Sequence, residues 1–151
     1  MTFNTFDIAK SILNEVRASA PATFSGLGLI FYSPPLRLPV IPLGDESRFL
    51  PPLPIVGSDR IAQILARISV ADSPWHDGFH LIDVPSVEMT HVSQFFSPPL
   101  GASRHPVPNA PIGARHMAAM LGSTLPTVDI TALLTKRGDL LVFKNGAPLP
   151  G

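Results

Sequence analysis

Ser73-Pro74-Trp75-His76-Asp77-Gly78-Phe79-His80-Leu81-Ile82 runs from a turn into an apolar strand, with Asp77-Gly78 at the junction. Asp bonds its own backbone in turns, and Gly supplies the positive φ that turns require. A second stretch, Ile112-Gly113-Ala114-Arg115-His116-Met117-Ala118-Ala119, sets a glycine, an arginine and a histidine where a helix is expected to begin. A carboxylate beside a Gly turn, facing cations and the free N–H groups of a helix start, suits a nucleotide phosphate. The two stretches are expected to meet in one anion-accepting crevice, and the rest of the chain to be its scaffold.

That scaffold reads as follows. Ile8, Ile12, Leu13 and Val16 recur at helical spacing and predict an amphipathic helix over 6–18, with Asp7 as a cap and Pro21 as a stop. Gly26–Tyr32 is a short apolar run that suits a buried strand. The segments 36–43 and 49–56 are threaded with prolines and read as extended edge pieces. Ser58–Ile68 is the clearest helix, with Ser58 as N-cap and an Ile61, Ile64, Leu65, Ile68 stripe. A strand follows over 79–84. The spacing of Val87, Met89, Val92, Phe95 and Phe96 predicts a helix over 87–96, and 97–111 a proline-rich loop. Ala114–Leu121 reads as a short helix closed by Gly122 as C-cap. Strands over 128–135 and 140–143 flank a hairpin at 136–139, and Asn145-Gly146 marks another turn. Helices alternating with strands predict an α/β sandwich, one domain over 1–151 with helices flanking a central mixed sheet.

Composition narrows the function. The 151 residues are enough for one domain with a real core, and 45% of them are apolar. Lys+Arg and Asp+Glu both total 11, so no excess of cations is available for a nucleic-acid polymer. The absence of cysteine removes disulfides, thiolate metal sites and cysteine nucleophiles. No apolar run reaches the roughly 18 residues of a membrane span, and Met1–Asp7 lacks the pattern of a secretory signal. A cytoplasmic protein without membrane attachment is the expectation. The five histidines show no metal-ligand spacing, and neither a Gly-x-Ser-x-Gly elbow nor a P-loop occurs.

Taken in order, the helix 58–68, Trp75-His76-Asp77-Gly78-Phe79, Phe95-Phe96-Ser97-Pro98-Pro99-Leu100, Gly113-Ala114-Arg115-His116-Met117-Ala118-Ala119, the strand 128–135 with Gly138, and 140–146 resemble the diadenylate cyclase (DisA-N) domain family. Its pattern is an "LHDGA" turn and strand, a "PLS"-type loop, "GTRHRAA" opening a helix, and a strand ending in "SEE(T)G". The resemblance is strongest over 56–146, with an insertion near 101–111, and 26–32 resembles the family's first strand. It implies a diadenylate-cyclase-like fold that binds ATP or another nucleotide through Asp77, Gly78, Phe79, Gly113, Ala114, Arg115 and His116. It further implies Mg or Mn accompanying the nucleotide, with Asp77 as metal ligand and, in an active enzyme, as catalytic residue. Family members condense two ATP to cyclic di-AMP with two domains face to face, so activity would imply a homodimer or other oligomer.

The departures fall on the polar residues. Phe79 stands for alanine, Ala114 for threonine and Met117 for the second arginine, and Leu134-Thr135-Lys136 replaces Ser-Glu-Glu. Losing an acidic cluster and a phosphate-facing cation removes what neutralises charge in metal-assisted nucleotidyl transfer. A nucleotide sensor without catalysis is therefore the first expectation. An active cyclase using Asp83, Glu88 or Asp139 is the second. The third is an interaction module without ligand, with partner surfaces at 34–54 and 98–111 and the crevice plugged by Phe79 and Met117. Plain readings stand beside these: Asp77 and Gly78 as turn residues, Arg115 as a surface arginine, His116 as a packed histidine. Trp75 is expected in the core, with stacking on a base as the alternative.

Overall fold

The structure is a computed structural model and describes residues 4–100 and 108–150. Among the described residues eight strands form one mostly antiparallel sheet, flanked by three α-helices. In chain order the elements are α1 (Thr5–Ser19), β1 (Leu27–Tyr32), β2 (Val40–Pro42), β3 (Ile55–Val56), α2 (Ser58–Ile68), β4 (Phe79–Asp83), β5 (Glu88–Phe96), α3 (Ala114–Gly122), β6 (Val128–Leu134), β7 (Leu140–Lys144) and β8 (Ala147–Pro148). The strand order is β2-β5-β4-β1-β6-β7-β8, with β3 also on β5. β1 and β4 run parallel and the other pairs antiparallel. The sheet is therefore mixed, as the alternation of elements predicts.

α1 buries Ala9, Ile12, Leu13 and Val16, the i, i+3, i+4, i+7 face of an amphipathic helix. Its cap is Asn4, whose side chain accepts from the Phe6 N–H at 2.8 Å, and Asp7 lies in the first turn instead. α2 buries Ile61, Ile64, Leu65 and Ile68 as its stripe predicts. Its N-cap is Gly57 rather than Ser58, because the chain enters at φ +92. Both helices pack on one face of the sheet, over Leu29 and Phe31 of β1 and Ile130 and Ala132 of β6. Each buried Leu, Ile or Phe among these contributes roughly 1.5–3 kcal/mol.

Among the described residues the opposite face carries one helix, α3, over Ile30, Phe79, Leu81, Phe96 and Leu133. Gly122 is the last residue of α3, and the cap is Ser123. Gly122 serves close packing instead, since a Cβ there would collide with the Phe96 ring. Thr131 of β6 reinforces the contact by donating its hydroxyl to the Ala119 carbonyl at 2.6 Å.

The helix predicted over 87–96 is strand β5. Register shifts in its pairing with β4 and a left-handed Ser93 (φ +52) break the strict alternation of its buried residues. The apolar positions then space like a helix, although Met89, Phe95 and Phe96 each pair in a ladder and Val87 lies in the turn before the strand. Of the predicted loop 97–111, positions 101–107 lie outside the described residues.

Candidate functional site

The Asp77-Gly78 turn is held from behind by β5. The Ser93 hydroxyl donates to the Asp77 carbonyl at 2.8 Å, and the Ser93 carbonyl accepts from the Leu43 N–H at 2.9 Å. Gly78 has φ +75, and a Cβ there would collide with the Gln94 carbonyl, so glycine is required at this position. The turn thus lies tightly on the β5 backbone and leaves the Asp77 side chain outside, 71% exposed.

α3 supplies the opposite wall. Its N-cap, Gly113, offers no side-chain bond, and its first turn contains no acidic residue. A Cβ at Gly113 would meet nothing within 4 Å, so the helix start is open. Free N–H groups and the positive dipole end therefore face outward beside Arg115, a cation that is unfavourable there without a counter-anion. Arg115 Nη2 lies 3.9 Å from Asp77 Oδ1. The guanidinium passes beside Gly26, within 3.3 Å of where a Cβ would stand, and near the Leu134 carbonyl and the Lys136 amide. Burial draws Arg115 below its usual pKa, and Asp77 pushes it back up. With Asp77 exposed and the contact at the limit of an ion pair, this pairing adds little stability. Its consequence is placement: an acid and a cation from distant parts of the chain share one crevice.

Other residues expected at the crevice turn away from it. Phe79 is 3% exposed and lies edge-on to Phe96 at 5.3 Å, over Gly28, so only its backbone borders the turn. Its ring fills the core under α3 and does not plug the opening, and Met117 is half-buried. His116 packs its ring on Phe143 of β7, with centroids 5.2 Å apart. Gly113 and Ala114 are exposed at the helix start. Trp75 is half-buried against the large core, edge-on to Phe49 at 5.3 Å, as the core reading expects.

The alternative carboxylates are dispersed. Asp83 pairs with Glu88 in the ladder at the far end of β4. The five residues of β4, about 16 Å of extended chain, lie between the Asp77-Gly78 turn and this end of the strand. The Asp83 Oδ1 accepts from the backbone N–H and hydroxyl of Ser86. Asp139 faces Arg137 at 3.8 Å on the β6–β7 hairpin. Among the described residues no group of three or more His, Asp or Glu could hold a metal ion. Asp77 alone fits a divalent cation only in the manner of Mg²⁺ sites where one carboxylate is joined by substrate phosphates and water.

Two polar residues behind the crevice escape sequence reading. His80 follows Phe79 and is completely buried. Its Nδ1 accepts from the Ser93 N–H at 3.1 Å, which places the proton on Nε2, and Nε2 has no partner among the described residues. Burial first, and the Arg115 charge second, lower its pKa to about 3, so the ring stays neutral. The available signal was a histidine inside an apolar strand run. Ser93, which bonds both His80 and Asp77, carries no such signal, because its role comes from its positive φ.

No protein-family model matches the chain, and no curated protein matches it. Among solved structures the fold is shared with diadenylate-cyclase-like proteins. One is a double mutant of DacA, a diadenylate cyclase from Staphylococcus aureus (TM-score 0.57, 19% identity, 96% of this chain and 86% of that one covered). A further solved structure of similar fold is a hypothetical membrane spanning protein from Bacillus cereus (TM-score 0.63, 17% identity, 96% of this chain covered). The chain spans 62% of that protein's length. Among the described residues no helix is long and apolar enough to cross a membrane.

Proposed function

We propose that this chain is a nucleotide-binding domain of diadenylate-cyclase-like fold, acting as a sensor without catalysis. The carrying observation is the 3.9 Å approach of Arg115 to Asp77 beside the open, uncapped start of α3. Phosphates would replace Asp77 as the partner of Arg115 and take the N–H groups at 113–116. Asp77 is then free for the ribose or for a Mg or Mn ion that arrives with the phosphates. The far position of Asp83 and Glu88, and the pairing of Asp139 with Arg137, weigh against transfer chemistry.

Titration calorimetry with ATP, ADP and cyclic dinucleotides, with and without Mg²⁺, tests this. Saturable binding that is lost in Arg115→Met is expected. No binding of any of them at millimolar concentration overturns the reading. Incubation with ATP and Mn²⁺ separates sensor from enzyme: a cyclic dinucleotide product that disappears in Asp77→Asn would establish the active alternative. The interaction-module reading draws on Ile41, Leu43 and Leu50, exposed at 64, 52 and 74% in the proline-rich segment 34–54.

A further inference from the structure

A second cavity, which contains neither Asp77 nor Arg115 but reaches His116, opens between α1 and the β7–β8 edge, with a volume of about 760 Å³. Its size falls within the range of small-molecule sites. One wall is a single stripe of α1: Phe6, Lys10, Asn14 and Arg17, spaced 4, 4 and 3 residues apart. The floor is apolar, from Leu140, Val142 and Leu149. Its lining includes Lys10, Arg17 and Arg137, whereas its one acidic residue is Asp139, already turned to Arg137. A chain with no net charge thus gathers surplus cations over an apolar floor at one place.

The cations differ in how far they are engaged. Arg17 donates to the Gly138 carbonyl at 3.1 Å and to the Asn14 side chain, which fixes it across the mouth. Lys10 is half-buried and has no carboxylate or hydrogen-bond acceptor among the described residues. Its ammonium rests 5.2 Å from the centre of the Phe6 ring. A partly desolvated ammonium held only by an aromatic face lacks an anion. Seven residues of helix, about 10 Å, separate Lys10 from Arg17, and Arg17 is already engaged by Gly138 and Asn14, so Lys10 is the cation left for an anion. A ligand that satisfies both the free ammonium and the apolar floor has one anionic head and a hydrocarbon tail.

We propose that this cavity binds a single-chain amphipathic anion, its carboxylate or phosphate on Lys10 and its tail on Phe6, Leu140 and Leu149. The site includes neither Asp77 nor Arg115 and meets the proposed nucleotide site at His116, whose ring lies on Phe143. Calorimetry of the full chain with sodium octanoate and with octyl phosphate, below their micelle thresholds, is the test, with 1-octanol and inorganic phosphate as partial ligands. One or both amphiphiles should bind saturably, and the tighter identifies the head group. Octanol and inorganic phosphate should each bind at least about tenfold more weakly, since each lacks one half of the contact. Lys10→Met keeps the stem and should weaken the amphiphile about tenfold without shifting the melting temperature, and Lys10→Arg should restore it. Absence of saturable amphiphile binding overturns the proposal. So does equal affinity for inorganic phosphate, or unchanged affinity in Lys10→Met.

Discussion

One face of the sheet carries two helices and the other carries one, and the candidate crevice belongs to the sparser side. α1 and α2 interlock over Leu29, Phe31, Ile82, Ile130 and Ala132 and bury the centre of that face. α3 covers Phe79, Leu81 and Phe96 with a shorter apolar strip, and its first turn projects past the cover, next to the Asp77 turn. A helix that had to close its whole face would have its start buried and capped. α3 can leave its start open because the two-helix face supplies most of the burial. Stability and site are thereby assigned to different faces, and substitutions on each should separate.

The largest effect is expected on the two-helix face. Leu65 is fully buried between α2 and the sheet. Leu65→Ala should lower the free energy of unfolding by about 2–5 kcal/mol, read from urea denaturation. Nucleotide affinity of the folded protein should stay unchanged. A loss below about 1 kcal/mol, or a matching loss of affinity, would break the division between faces.

Next comes acid sensitivity, which originates behind the crevice. His80 has a folded pKa of about 3 against an ordinary 6.5, so the unfolded chain takes up a proton that the folded chain refuses. Its contribution to stability is therefore complete above pH 6.5 and is lost as pH falls from 6.5 towards 3. The slope attributable to this one group is at most about 1.4 kcal/mol per pH unit. His80→Gln keeps an acceptor for the Ser93 amide and cannot titrate in this range. Melting curves between pH 7 and 4 should fall less steeply for the variant than for the parent. Parallel curves would show that His80 does not carry this term.

How much of this could be read from the chain depended on whether an interaction was local. The faces of α1 and α2 are visible as spacing, because burial of a helix repeats every three or four residues. The β6–β7 hairpin is visible because turn and strands are contiguous, and Thr131 to Leu134 pair with Phe143 to Leu140 as expected. The meeting of Asp77 with Arg115 could be expected from two motifs, although 38 positions separate them. β5 was illegible because its bulges disguise a period of two. Ser93 and His80 were illegible as partners because a bulge, which no residue type announces, brings the Ser93 amide to His80. His116 shows the limit of motif reading: neighbouring positions on a helix point 100° apart, so Arg115 faces the turn while His116 faces Phe143.

Ser93 offers a sharper test of what positions the turn. Ser93→Ala removes the hydroxyl that bonds the Asp77 carbonyl and leaves that acceptor near the surface, where water replaces it. The stability loss should be about 0.5–1.5 kcal/mol, smaller than for Leu65→Ala. If the hydroxyl holds Asp77 opposite Arg115, nucleotide affinity should fall together with stability, unlike the Leu65 variant. Ser93→Thr keeps the hydroxyl but adds a β-branch at φ +52, which is unfavourable. It should recover affinity only to the extent that the backbone tolerates it. Unchanged affinity in Ser93→Ala would show that Gly78, lying against the Gln94 carbonyl, fixes the turn without help.

The smallest effect on stability is expected at the site itself. Asp77 is 71% exposed and its ion pair to Arg115 spans 3.9 Å. Exposed pairs of this kind are worth about 0–1 kcal/mol, and Asn keeps the side chain's shape and its turn-forming hydrogen bonds. Asp77→Asn should therefore leave the urea midpoint nearly unmoved. Its effect on a nucleotide distinguishes two uses of the carboxylate. If Asp77 only partners Arg115 in the empty crevice, removing the charge relieves competition and ATP without metal binds more tightly. If Asp77 also holds a metal with the phosphates, the variant gains affinity without Mg²⁺ and loses the Mg²⁺-dependent part. Calorimetry in EDTA and in excess Mg²⁺ reads both. A midpoint shift comparable to that of Leu65→Ala would contradict the assignment of stability to the two-helix face, because it would make an exposed side chain on the open side a main support of the fold.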